Sequence, residues 1–254
     1  MRRLLFHRFA GSLATFFILL GVVPVAAQTT RSLADPPTWD YVVLGNSIGT
    51  LWFKHYGAMI ESDQSVKVIY HNHYVPRQKA SALLANVTSE PDLQNEIADA
   101  EIITIGIGFP DMRWAITMWG SERRNPDSEG MNEAIREFCL AYDNLLAEVI
   151  SLADPTVIIQ IMDVYFPYVR SHKDRGIYES TKQDWARFNE CITAAGRRHR
   201  VSVAQVHEAF NGALGDDDPA EKGYLDFDGK HSSEEGMQVI AEQFRSLGYE
   251  RLLR

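Results

Sequence analysis

The chain has 254 residues, of which 45% are hydrophobic and 23% charged, and its formal net charge is −9. The hydrophobic share excludes a disordered chain, and the acidic balance leaves no electrostatic reason to bind nucleic acid or an anionic membrane.

Residues 1–27 have the form of a secretory signal. Arg2, Arg3 and Arg8 precede an apolar stretch from about Ala14 to Val23, and Val25-Ala26-Ala27 supplies small residues before a cut. A membrane anchor is the alternative, but the stretch is shorter than the roughly 20 residues a spanning helix needs. The sequence therefore predicts cleavage near Ala27, a secreted or periplasmic product beginning at Gln28, and no stable membrane span. Cleavage removes three arginines and no acid, taking the formal charge from −9 to −12. Residues 28–254 suffice for a single domain with one sizeable core.

Beyond a lead-in at 28–39, apolar runs alternate with helical patterns. Tyr41–Leu44 reads as a first strand and Ile48–Ile60 as a helix; Val66–His71 is a second strand. A helical stretch over Lys79–Ala98 should break at Pro91, and Ile102–Ile107 is a third strand. Met131–Leu152 is a long amphipathic helix, followed by a strand at Thr156–Met162 and a helix at Lys182–His199. Val201–Val206 is a short fifth strand, and Ser233–Leu247 the last helix. This alternation predicts a three-layer α/β/α fold around a flavodoxin-like parallel sheet of about five strands. Active sites of such folds lie beyond the carboxyl ends of the strands.

Two segments near that edge carry chemistry. Asp228-Gly-Lys-His231 places a carboxylate and an imidazole three residues apart, within one turn, and Ser47 follows the first strand. A serine hydroxyl needs an imidazole to take its proton and a carboxylate to fix the imidazole tautomer. Asp228 can reach Nδ1 of His231 and leave Nε2 facing Ser47.

The block Asp226-Phe-Asp228-Gly-Lys-His231-Ser-Ser-Glu-Glu-Gly236-Met-Gln-Val-Ile240-Ala241, with Gly45-Asn46-Ser47-Ile48 at the other end, resembles the SGNH/GDSL family of esterases and lipases. Asn46 stands where that family usually has aspartate. The resemblance implies a Ser47, His231, Asp228 triad acting through an acyl-enzyme, with no cofactor or metal. It also implies an oxyanion hole formed by the Ser47 backbone N–H, a glycine N–H after the second strand and an asparagine after the third. Arg77 falls at the glycine position and keeps a backbone N–H. Pro110 falls at the asparagine position and offers neither an amide side chain nor a backbone donor.

Gly45-Asn-Ser47-Ile-Gly49 also fits the nucleophile elbow of α/β-hydrolases, but there the serine sits well inside the sheet, and acid and base come from separate loops. His71 and His73 could pair on a metal, yet alternate strand residues share a face for geometric reasons alone, and no third ligand is evident. His207 reads as a satisfied polar residue at a strand end, and Asp216-Asp217-Asp218 as a solvated acidic turn without a calcium-loop pattern. The aromatic segments Phe109–Trp119 and Tyr165–Tyr168 either line a substrate pocket or are buried beneath loops. Cys139 and Cys191 are either a disulfide or two buried thiols.

These readings converge on a secreted serine hydrolase acting on a small-molecule, glycan or lipid ester. A non-catalytic binding protein on the same fold, and an acyltransferase or carbohydrate deacetylase, are the alternatives.

Overall fold

The computed structural model describes residues 35–47, 51–123 and 126–250; the expected signal segment and its cleavage point lie outside them. Five parallel strands form one sheet in the order β2-β1-β3-β4-β5, with β1 Thr38–Gly45, β2 Lys67–Tyr74, β3 Ile102–Gly106, β4 Ile158–Met162 and β5 Ser202–Ala204. This is the flavodoxin-like order, in which the chain first winds to one side of β1 and then to the other. Central β3 and β4, Ile-Ile-Thr-Ile-Gly and Ile-Ile-Gln-Ile-Met, are buried at every position. Such runs suit strands covered on both faces. Edge strand β2 instead leaves Ile69 and Tyr70 exposed.

Helix α1 (Trp52–Gln64) packs with α9 (Glu234–Ser246), and α9 with α8 (Val206–Asn211). Trp52 of α1 stacks on Phe244 of α9 with centroids 4.3 Å apart. Beneath them, the buried Tyr56 hydroxyl donates to Gln160 Oε1 at 2.7 Å, so a polar atom on a central strand is satisfied without water. A second group comprises α2 (Ala80–Ser89), α3 (Pro91–Asp99), α4 (Phe109–Met118), α5 (Ser128–Leu152) and α7 (Tyr178–His199), with α5 touching all the others. Asp127 caps α5 by accepting from the N–H groups of Glu129 and Gly130. Cys139 of α5 and Cys191 of α7 form a disulfide, with Cα atoms 4.9 Å apart. Of the two cysteine readings, the bridge is the one found. Residues from Pro36 onward cluster as one compact unit. Among the described residues, no helix is long and apolar enough to cross a membrane.

The structure adds three helices that the sequence reading lacks. Helix α6 (Val169–Asp174) and α8 have six residues each, too few to establish a 3.6-residue period. Helix α4 occupies the aromatic segment Phe109–Trp119, to which the sequence reading assigned no helix, and Pro110 lies at its start. There the missing N–H costs no intrahelical bond, so proline opens this helix where it would break another. Pro91 does the same for α3, ending α2 as expected. The other differences are shifts of element ends: β2 runs on to Tyr74 and β5 shortens to three residues.

Candidate active site

The sheet order reverses between β1 and β3, and both strands open onto the same crevice at their carboxyl ends. At that switch point Gly45 pairs with Gly106. A Cβ on Gly45 would lie 2.3 Å from the Gly106 carbonyl oxygen, so only glycine permits this approach. Asn46, buried just beyond, donates its backbone N–H to that same oxygen at 3.2 Å. Ser47 follows, so the serine is held by a strand pair tightened to the limit of backbone contact.

The histidine arrives on the other segment. Leu225 and Ser232 form an antiparallel bridge, and Asp226 N–H donates to the His231 carbonyl at 2.8 Å, closing a narrow loop around residues 226–231. Gly229, at φ 69°, makes the turn. Asp228 Oδ1 accepts from the N–H groups of Lys230 and His231, each at 3.0 Å, while Oδ2 takes the Nδ1 edge of the His231 ring at 2.6 Å. Partial burial pushes the Asp228 carboxyl up, but these hydrogen bonds outweigh it and hold its pKa below the ordinary carboxylate value. Ser233 then caps α9 through Gly236 N–H. A Cβ on Gly236 would meet the Tyr224 carbonyl oxygen at 2.2 Å, so the helix start can sit against the loop only as glycine. The buried Tyr165 hydroxyl donates to the Lys230 carbonyl at 2.8 Å, pinning the loop from beneath.

The two segments meet: Ser47 Oγ lies 3.3 Å from His231 Nε2. This distance, with Nδ1 on Asp228, is the geometry of a nucleophile, its base and the group orienting that base. All three residues singled out in the sequence are brought together.

Ser47 and His231 open onto a cavity of about 690 Å³. Phe109, Pro110, Trp114 and Met118 of α4 form its apolar wall. Arg77 also lines it, at φ 63° in the turn Val75-Pro76-Arg77-Gln78 that is closed by Gln78 N–H on the Val75 carbonyl. Proline at the second position and a left-handed residue at the third is the type II pattern, in which glycine usually takes the third place. Pro110 faces the same cavity without a donor.

Of the aromatic segments, α4 contributes pocket wall through Phe109, Trp114 and Met118, whereas Tyr165 and Phe166 are buried. Sequence reading missed Arg113 and Lys79, which also line the cavity. Arg113 lies one helical turn beyond Pro110, a relation visible only once 109–118 is known to be helical.

The remaining polar clusters have structural partners. His71 bonds Asp40 at 2.7 Å, and Glu96 joins His71 to His73. Burial lowers the His207 pKa to about 4, and its backbone N–H is taken by Asp163 at 2.7 Å. Asp216 and Asp217 pair with Lys182 and Lys222. Among the described residues, no group of three or more histidine, cysteine or carboxylate side chains is placed to hold a metal ion.

No protein-family model matches the sequence, and no curated protein matches it. Solved structures do. A lipase, Lip_vut3, from a goat rumen metagenome superposes with a TM-score of 0.70 at 21% identity, over 84% of this chain and 99% of that one. An acetyl xylan esterase from Geobacillus stearothermophilus gives 0.59 at 16% identity, over 85% and 97%. A lipase/acylhydrolase from Enterococcus faecalis gives 0.56 at 14%, over 83% and 95%. At such identities the likeness speaks for the fold: this chain has the α/β fold of the SGNH hydrolases.

Proposed function

We propose that the protein is a secreted SGNH-type serine hydrolase that cleaves carboxylic esters through an acyl-enzyme. The observation that carries this reading is the relay from Ser47 Oγ to His231 Nε2 at 3.3 Å and from Nδ1 to Asp228 at 2.6 Å, at the carboxyl edge of the sheet. Ser47 Oγ attacks the ester carbonyl carbon while its proton passes to Nε2. Asp228 holds the Nδ1–H tautomer and stabilises the imidazolium that forms. The tetrahedral oxyanion is held by the backbone N–H groups of Ser47 and Arg77. Collapse expels the alcohol, which takes the proton from Nε2. Water, deprotonated by the same nitrogen, then attacks the acyl carbon, and the acid departs as Ser47 recovers its proton.

The left-handed turn at Arg77 supports its place in the hole, since the backbone keeps the conformation that a glycine would adopt there. Pro110 favours a second reading, a binding protein on this fold that has lost turnover, because loss of one oxyanion donor typically costs about 10² to 10³ in kcat. Wild type and Ser47→Ala assayed on p-nitrophenyl esters of graded chain length separate the two. The hydrolase reading expects turnover that depends on Ser47, and the binding reading expects none. Recovery of the exported protein beginning near Gln28 tests secretion.

A further inference from the structure

The charge of the cavity runs against the charge of the chain. Although the chain carries a formal −9, four basic residues line the cavity beside Ser47: Arg77, Lys79, Arg113 and Lys230. None of the described residues lining it is an aspartate or glutamate. The four come from three separate segments, the β2–α2 loop, α4 and the histidine loop, so they are not one basic run that happens to pass by.

Their charges are offset to different degrees. Arg113 donates to Glu122 Oε2 at 2.6 Å, and Glu122 also holds His172 and Arg175, so Arg113 is fixed and largely neutralised. The Lys230 ammonium stands 3.8 Å from Asp228 Oδ2, at the outer reach of an ion pair. Lys79 lies with its ammonium 3.9 Å from the centroid of the Trp114 ring, an aromatic contact that positions the cation without cancelling it. Arg77 is exposed at the cavity wall. Asp111, the carboxylate whose charge acts on Lys79, is half-buried and accepts the Ala80 N–H; desolvation pushes its pKa up to about 7, so near neutrality it carries only part of a charge.

A neutral acetyl or alkyl ester would use the apolar α4 wall and leave these cations facing water. An ester with an anionic group would use both, and low-dielectric walls strengthen the attraction. Resting on the hydrolase reading above, we propose that the preferred substrate is an ester bearing a carboxylate, phosphate or sulfate beside an apolar body, with the anion held chiefly by Arg77 and Lys79 and secondarily by Lys230.

Matched ester pairs test this. On the acyl side, p-nitrophenyl glutarate monoester is compared with p-nitrophenyl pentanoate; on the alcohol side, 4-acetoxybenzoate is compared with its methyl ester. Each rate is divided by that of uncatalysed hydrolysis. In at least one pair the anionic member should have a kcat/KM about tenfold higher or more, falling several-fold between about 50 mM and 500 mM salt as the charges are screened. Lys79→Met, which keeps the stem against Trp114, should cut the anionic-to-neutral ratio about threefold or more, and Lys79→Glu should cut it further. Lys230→Met gives an independent, smaller reduction should the Lys79 variants fail to fold. Neutral esters cleaved as well as or better than anionic ones in both pairs would overturn this proposal and leave the hydrolase reading standing. No hydrolysis of any ester, together with no phosphonate labelling of Ser47, would overturn both.

Discussion

The two sides of the cavity are built on different principles. The histidine side closes on itself: Asp228 and His231 lie within one turn, the turn is shut by the Asp226 N–H bond, and Tyr165 ties it to the core. The serine side is assembled from β1, the Arg77 turn and the start of α4, segments far apart in sequence. It holds together through backbone approach at Gly45 and packing of α4 on α5 and α7. The Asp228–His231 pair is set by one loop, whereas the serine side depends on segments remote in sequence, among them the Arg77 turn and the Pro110 start of α4.

The sharpest way to break this comparison is to remove one member from each side. Ser47→Ala and His231→Ala should each lower kcat/KM for an ester by about 10³-fold or more, because the relay fails as a unit. Both should fold, since neither side chain is in the core. A double variant should lose little beyond either single one, and additive losses would separate the two residues mechanistically.

Next in size is the support of the serine side. The disulfide from Cys139 to Cys191 spans 52 residues between the helices beneath α4. By loop entropy its removal should cost about 4 kcal/mol. Cys139→Ala/Cys191→Ala should therefore melt well below wild type in calorimetry. If the α4 wall depends on that packing, KM should rise in the variant before the fold is lost, and an unchanged Tm would show that the α5–α7 contact needs no tether.

Pro110→Asn bears on the proposed oxyanion hole and on the start of α4. An amide placed about 2.7 to 3.1 Å from the developing oxyanion should raise kcat by about tenfold with little change in KM, because it acts on the transition state. Lower kcat in a folded variant would show that the proline sets a path for α4 that the site needs.

The smallest effect lies outside both sides, at Asp163 beyond the end of β4. Burial raises the pKa of Asp163 to about 7, against the 3.8 of an ordinary aspartate, even though the N–H groups of Val206 and His207 at the start of α8 hydrogen-bond to it. Folded protein therefore retains a proton here that the unfolded chain releases between about pH 4 and 7, so this group makes stability fall as pH rises through that window. Its slope is at most about 1.4 kcal/mol per pH unit. Asp163→Asn, which can still accept the N–H bonds, should remove that slope relative to wild type in urea titrations at several pH values. Parallel pH profiles would contradict the assignment.

The sequence declared the histidine side far more openly than the serine side, for physical reasons. Asp228 and His231 could be paired from spacing because one turn fixes their separation, and the parallel order could be anticipated because Ile-rich runs alternate with amphipathic helices. Helix α4 stayed hidden because Pro110, a breaker inside a helix, is a starter at its first turn. Consequently the placing of Arg113 and Trp114 on one cavity wall could not be foreseen. Arg77 was placed only by the family resemblance, at the glycine position after the second strand, and its left-handed backbone, adopted by a non-glycine residue, has no sequence signature.

If Ser47 is the nucleophile of a working relay, a fluorophosphonate probe will mark it, and peptide mapping will locate the adduct. A single adduct is expected on the peptide containing Ser47, formed rapidly in wild type, absent in Ser47→Ala and strongly slowed in His231→Ala. An adduct at another residue, or equal labelling of wild type and Ser47→Ala, would contradict that role.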